Sequence, residues 1–210
     1  MQLVKTKDNS LTFHNKEYDE TYHSISGALE ESYKKFVGPS KVSDNKAILD
    51  ICFGLGYNSY AAIKTAKHLK ITALENDKEI LNLSQTINID DKYEIIKQLS
   101  KDFVYKDENY DLKLILGDAR QTIKEIKDQF DIVFLDPFSP KKCPELWEVE
   151  FFKEIFNKMK PDSILTTYSC ARIVRDNLQK AGFQVKDGPC VGRRAPSTIA
   201  IKNSSSTSLQ

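Results

Sequence analysis

The sequence predicts an α/β fold, a mostly parallel sheet finished by a C-terminal antiparallel strand pair, and three observations predict it. Residues 47–52 form a largely apolar run that breaks into Gly54-Leu55-Gly56 and resumes at Asn58 with helical spacing (Ala61, Ala62, Ile63, Ala66). Short apolar runs then alternate with helical patterns, at 71–75, 112–116, 132–135 and 163–167. Finally, the strand-like runs 183–186 and 197–202 have no helix between them. They must pair antiparallel, because a parallel crossover needs a dozen or more residues.

The elements follow in order. Residues 1–18 are polar and mixed, which suits a short β-hairpin or a loosely held arm. Residues 20–33 lead into a helix expected to end near Phe36, with Gly38-Pro39 as its stop. After the first strand and helix come a strand at 71–75 and a helix at 78–89. Residues 90–110 are charged and partly amphipathic (Tyr93, Ile96, Leu99, Phe103) and read as an extra helix and loop. The strand at 112–116 is followed by a helix at 119–127, and the strand at 132–135 by the stiff loop Pro137-Phe138-Ser139-Pro140 and a helix at 145–159. In that helix Trp147 joins Phe151, Phe152 and Phe156 as core. A strand at 163–167 and a helix at 171–181 precede the closing pair. The organisation expected is an N-terminal arm and helix over the active site (1–40), a catalytic domain (41–202) and a Ser-rich disordered tail (203–210). No internal repeat is present.

Composition excludes several classes. A chain of 210 residues with 40% hydrophobic and 29% charged residues fits one well-buried domain. No apolar run approaches the roughly 20 residues of a membrane span, and the first residues lack the apolar centre of a signal peptide. The four cysteines are scattered, without Cys-x-x-Cys or paired histidines, which argues against a metal site and suits a reducing, cytoplasmic setting. A net charge of +1 gives no global pull on nucleic acid.

The chemistry starts at the glycine loop. Glycine lets a ligand lie against bare main chain and adopts positive φ cheaply. A strand, a Gly loop and a helix place a nucleotide beyond the carboxyl ends of a parallel sheet. Here the third glycine of the dinucleotide fingerprint and any Gly-Lys-Ser/Thr are missing. The loop therefore suits a nucleoside without phosphate, such as S-adenosylmethionine, better than a pyrophosphate. Three acids follow three strands in register with Gly54 and Gly56. Glu75 is placed to accept from both ribose hydroxyls, Asp118 from an adenine amino group, and Asp136 to face the reacting end. Each would equally serve as a helix cap. The whole pattern is that of the Rossmann-like sheet of class I S-adenosylmethionine-dependent methyltransferases.

Phe53-Gly54-Leu55-Gly56-Tyr57-Asn58, Leu74-Glu75-Asn76, the block from Phe134-Leu135-Asp136-Pro137-Phe138-Ser139-Pro140 to Trp147, and Thr166-Thr167-Tyr168-Ser169 through Phe183 resemble the methyltransferase half of the bifunctional MnmC family. The resemblance runs from about Tyr18 to Lys202. It implies methyl transfer from S-adenosyl-L-methionine to the exocyclic amine of 5-aminomethyl-(2-thio)uridine at the tRNA wobble position. It also implies a cofactor site of Gly54, Gly56, Asn58, Glu75, Asp118 and Asp136. The flavin-dependent half has no counterpart in these 210 residues, which reads as a stand-alone form whose aminomethyl substrate comes from a separate enzyme. Pro137 departs from the Gly of the bifunctional proteins, and the resulting Asp-Pro-Phe is similar to the loop of amino-group methyltransferases.

Asp136 is the catalytic candidate, to accept an amine N–H and aim the lone pair; proton acceptor and orienting group both stay open. Phe138 offers a face for the uracil or plugs the core. Tyr22 and His23 sit in the arm that the resemblance places over cofactor and extruded base. Lys141, beside the Asp136 loop, and Arg193 and Arg194, between the closing strands, are candidates for anticodon stem-loop phosphates. Residues 172–202 carry an excess of five positive charges. Two other functions remain open: a spermidine-synthase-like aminopropyltransferase on the same sheet, and a non-catalytic RNA-binding subunit with a methyltransferase fold.

Overall fold

In the computed structural model, residues 1–192 and 194–204 are described. Arg193 and residues 205–210, which make up most of the tail expected to be disordered, lie outside the described residues.

The chain opens with β1 (Gln2–Lys5), β2 (Leu11–Asn15) and β3 (Glu20–Thr21), a small antiparallel sheet of their own. The hairpin reading of the arm is therefore right, with a third strand added. One helical stretch follows: α1 (Ala28–Glu31), a π segment (Ser32–Val37) and α2 (Gly38–Ser40). Gly38-Pro39 does not stop it, contrary to expectation. The Gly38 N–H reaches five residues back to the Tyr33 carbonyl, and this widened turn accommodates Pro39, which has no N–H to lose. The stretch ends at Lys41, in the left-handed region.

Then come β4 (Ala47–Ile51), α3 (Tyr57–Thr65), β5 (Leu69–Glu75), α4 (Lys78–Ser84), α5 (Tyr93–Asp102), β6 (Val104–Lys106) and β7 (Tyr110–Leu116). Strand β6 was not foreseen. Its three residues are polar-flanked and serve only to cover the edge of β7, antiparallel. The chain continues with α6 (Ala119–Glu125), β8 (Phe130–Leu135), a 3-10 turn (Pro144–Trp147), α7 (Val149–Asn157), β9 (Met159–Thr167), α8 (Arg172–Lys180), β10 (Gln184–Asp187) and β11 (Thr198–Lys202). The helix expected at 145–159 is thus split at Glu148, whose extended backbone separates the turn from α7.

The main sheet has the order β10-β11-β9-β8-β4-β5-β7-β6 among the described residues. Pairings β9-β8-β4-β5-β7 are parallel, and β11 inserts antiparallel between β9 and β10. Alternation along β4 sends Ile48 to the face covered by the π segment, α3 and α5, and Leu49 and Ile51 to the face covered by α6, α7 and α8. Each such buried aliphatic side chain is worth roughly 1.5–3 kcal/mol, so covering both faces is what fixes the parallel strands. No helix among the described residues is long and apolar enough to cross a membrane.

Candidate active site

The carboxyl ends of five adjacent parallel strands open onto one cavity of about 650 Å³. Gly54 after β4, Glu75 at the end of β5, Asp118 after β7, Asp136 after β8 and Tyr168 after β9 all line it. That volume lies within the ~300–1,000 Å³ of small-molecule sites.

The two glycines of the loop do different work. Gly54 lines the cavity at φ 57°, and a Cβ there would stand 3.3 Å from Tyr22 Cδ1. Gly56 is not among the lining residues. At φ 73° it caps α3, and a Cβ would come within 2.4 Å of Phe53 Cζ and 2.6 Å of Ile96 Cγ2. Asn58 is likewise buried behind the wall, where its amide N–H donates to Asp136 Oδ2 at 2.9 Å. It reaches the cavity only through that carboxylate.

Asp136 itself is half-buried, and its Oδ1 makes no hydrogen bond among the described residues. Burial, followed by the nearby Glu31 carboxylate, pushes its carboxyl well above the usual range; the Asn58 hydrogen bond works the other way. Glu75 is buried and accepts three backbone N–H groups, from Gly54 at 2.7 Å, Asn76 at 2.8 Å and Asp77 at 2.9 Å. It ties the glycine loop to the turn after β5, yet burial still leaves its carboxyl raised. Asp118 caps α6 through the Arg120 N–H and takes the Arg120 guanidinium at 2.5 Å. That pairing holds its carboxyl below the usual range. The capping role and the cavity position coexist in this residue.

The arm roofs the cavity. The Tyr22 hydroxyl donates to Asp77 Oδ2 at 2.5 Å, on the β5 side. On the β8 side the Glu20 carboxylate accepts from the Ser139 N–H at 2.9 Å and from its hydroxyl. Phe138 stacks on Tyr18, with centroids 4.6 Å apart, and meets Tyr22 edge-on at 4.9 Å. One of its faces is thus already taken by the protein. His23 is buried on the lining, 3.4 Å from the Thr12 hydroxyl, and burial lowers its pKa to about 4. It is a neutral imidazole near pH 7. Trp147 is core, as expected, with its indole N–H on the Phe138 carbonyl at 2.8 Å.

The basic residues are less gathered than the sequence suggests. Lys141 and Arg194 are exposed and do not line the cavity. Arg175 is spent on Asp187 at 2.7 Å. Lys202 is engaged too; its ammonium donates to the carbonyls of Phe156 and Met159, near the end of α7. Arg172 is highly exposed at the start of α8 and pairs loosely with Asp176 at 3.6 Å.

Sequence reasoning missed Glu31 and Lys35, both buried and both on the lining, joined at 2.6 Å. As an i,i+4 pair they read as an ordinary solvated bridge. The available signal was their phase: Ala28, Glu31, Ser32, Lys35 and Phe36 share the buried side of the helix. Asp50 was also passed over. It is fully buried below the cavity, with Oδ2 held by the Ser59 hydroxyl at 2.6 Å and Oδ1 unpartnered among the described residues. Among those residues no group of three or more His, Cys, Asp or Glu is placed to hold a metal ion.

The arrangement fits a sulfonium nucleoside. Bare main chain at Gly54 faces a cavity whose charged lining is mostly acidic, with Glu75, Asp77, Asp118 and Asp136 following the strand ends. Comparison with known proteins agrees. Residues 84–203 match the family described as S-adenosyl-L-methionine-dependent methyltransferase. The chain is 36% identical to an uncharacterized protein of Methanocaldococcus jannaschii, over 96% of this chain and 59% of that protein. It is 27% identical to the tRNA 5-methylaminomethyl-2-thiouridine biosynthesis bifunctional protein MnmC of Leptospira borgpetersenii, over 89% of this chain and 33% of that protein. It therefore spans less than two thirds of either relative. Among solved structures, MNMC2 from Aquifex aeolicus has a TM-score of 0.82 at 33% identity, covering 95% of this chain and 69% of that one. Spermidine synthase from Thermotoga maritima, with a TM-score of 0.61 at 16% identity over 96% of this chain and 73% of that one, shares the fold alone. The chain belongs to the S-adenosyl-L-methionine-dependent methyltransferase family and is related within it to MNMC2.

Proposed function

We propose that this methyltransferase acts on tRNA, methylating the exocyclic amine of 5-aminomethyl-(2-thio)uridine at the wobble position to give 5-methylaminomethyl-(2-thio)uridine. The observation that carries the reading is Asp136: a raised carboxyl on the cavity, one oxygen fixed by Asn58 and the other without a partner among the described residues. The chain's likeness to proteins named for tRNA 5-methylaminomethyl-2-thiouridine biosynthesis supplies the substrate class.

When bound, S-adenosyl-L-methionine supplies an electrophilic methyl group on a sulfonium. Gly54, Glu75 and Asp118 are the residues that would hold its nucleoside. A primary amine is largely protonated near neutral pH and must shed a proton before its nitrogen can react. Asp136 Oδ1 accepts an N–H of that amine and fixes its direction, while the Asn58 amide keeps the carboxylate from turning. A carboxyl raised by burial is also a better proton acceptor than an exposed one, which suits it to take the displaced proton. Tyr18, Tyr22 and Phe138 form an aromatic wall against which a uracil ring can lie, sharing or displacing the Tyr18 stack. Arg194 and Lys141 are left for phosphates, together with the exposed Arg172, only loosely paired with Asp176, and Arg193 adjoins Arg194 in sequence.

Incubation with labelled S-adenosylmethionine and tRNA bearing 5-aminomethyluridine tests the reading. Label confined to that nucleoside supports it. Turnover only with decarboxylated donor and putrescine would make the protein an aminopropyltransferase, and donor binding without transfer to any tRNA would make it a non-catalytic subunit.

A further inference from the structure

The Glu31–Lys35 pair is costly to bury. Both residues are about 5% exposed, their ions are 2.6 Å apart, and the Glu31 carboxylate also takes the Ser24 N–H at 3.0 Å. Withdrawing two charges from water costs several kcal/mol per ion, and apolar residues of the same volume generally serve stability as well or better. Yet Lys35 is held on the π segment, with Glu31 the residue just before it, and such a wide turn is of the kind that marks functional sites. Both residues also line the ligand cavity. The ammonium of Lys35 finds one acceptor among the described residues and keeps two N–H bonds in hand.

Sheet order says which end of the cavity this is. Glu75 and Asp118 mark the β5–β7 side, where the nucleoside is expected. The π segment packs on the other side, with Phe36 edge-on to Phe134 of β8 at 6.1 Å and Thr166 of β9 donating to the Phe36 carbonyl. Both Glu31 and Lys35 act electrostatically on Asp136, with opposite signs, which places them beside the reacting end. A pocket meant only for a cationic amine would gain nothing from a buried ammonium. A zwitterion needs one group of each sign.

We propose that Glu31 and Lys35 are the receptor for the amino-acid end of the methyl donor, with Lys35 on its α-carboxylate and Glu31 on its α-ammonium. The pair then makes the site selective for a donor that retains its carboxylate, against the decarboxylated nucleoside that an aminopropyltransferase of the same fold would use. The proposal rests on the family's methyl donor and not on the tRNA reading, so transfer to tRNA can fail while this preference stands, and the reverse.

Calorimetric titration of the whole protein with S-adenosylhomocysteine, its decarboxylated analogue and 5′-methylthioadenosine tests it. The wild type should lose about tenfold or more in affinity with the carboxylate alone, and more with both groups gone. In a Glu31→Gln/Lys35→Met double variant the carboxylate preference should fall to about threefold or less, with 5′-methylthioadenosine binding within about twofold of wild type. Equal binding of the first two ligands by wild type, or an undiminished preference in the double variant, overturns the assignment. A second measurement needs no variant: the 15N signal of the Lys35 ammonium should move on adding S-adenosylhomocysteine and stay in place with 5′-methylthioadenosine. Movement with both, or with neither, overturns it as well.

Discussion

Glu20 in the short strand β3 grips Ser139 in the loop after β8, taking both its backbone N–H at 2.9 Å and its hydroxyl. Two segments 119 residues apart are thereby fastened across the cavity mouth. Glu20→Ala should release the arm on this side, since hydrogen bonds to a charged group contribute about 1.5–3 kcal/mol each. Amide exchange over residues 11–25 should quicken and donor affinity fall by about tenfold, with exchange in β4, β5 and β8 unchanged. Unchanged exchange in the arm would mean that the Tyr22–Asp77 contact alone holds it.

The two loop glycines should part company under the same substitution. Gly54→Ala places a methyl at the cavity wall against Tyr22, on a backbone that L side chains rarely adopt. Donor affinity should drop about tenfold with a stability loss near 1 kcal/mol. Gly56→Ala drives a methyl into Phe53 and Ile96, away from the lining. Overpacking of that kind costs about 1–3 kcal/mol, while the folded fraction should bind donor normally. Thermal melts with and without S-adenosylmethionine distinguish the two.

Asp136→Asn keeps the shape of the side chain and removes its charge and basicity. Single-turnover transfer to tRNA should slow by about 10²–10⁴, the usual range for a positioned proton acceptor, with donor affinity within a few-fold of wild type. Transfer at the wild-type rate would remove Asp136 from catalysis.

Burial pushes the Asp50 carboxyl up to about 7. A group raised in the fold favours the protonated folded state. Its contribution is fully present below the unfolded value, near 3.9, and is lost as pH rises through about 7. Asp50→Asn should therefore match wild-type stability only at or below about pH 4 and gain on it as pH rises, to some 3 °C or more in Tm at about pH 8.5. Parallel melting curves at all pH values would show that Asp50 ionises without cost.

The parallel strands were legible because buried strands read as apolar runs ended by glycine or an acid, and Glu75, Asp118 and Asp136 all lie on the cavity that this pattern predicts. The boundaries were less legible: α4 stops at Ser84, not at residue 89, and β9 starts at Met159, four residues early. Pro39 misled because a proline signals a break only when the turn before it is α-helical in width. Gly56 and Asn58 carry the motif yet act from behind the wall, since spacing fixes a loop's shape before it fixes what its side chains touch. Glu31 and Lys35 were illegible for a different reason. Their identity is that of a surface bridge, and only the packing of the π segment against β8 and β9 shows that water does not reach them.

The loop after β8 is pinned from three directions: the Trp147 indole N–H and the Cys143 thiol both donate to the Phe138 carbonyl, and the Tyr168 hydroxyl donates to that of Pro137. Such a floor cannot give way to admit a guest. Traffic in and out must then be governed by the roof, whose fastenings at Glu20 and Tyr22 are few and polar and can be exchanged for water. Loading and release would be paced by how often the first two dozen residues lift, and a graft that stiffened them should trap whatever is already inside.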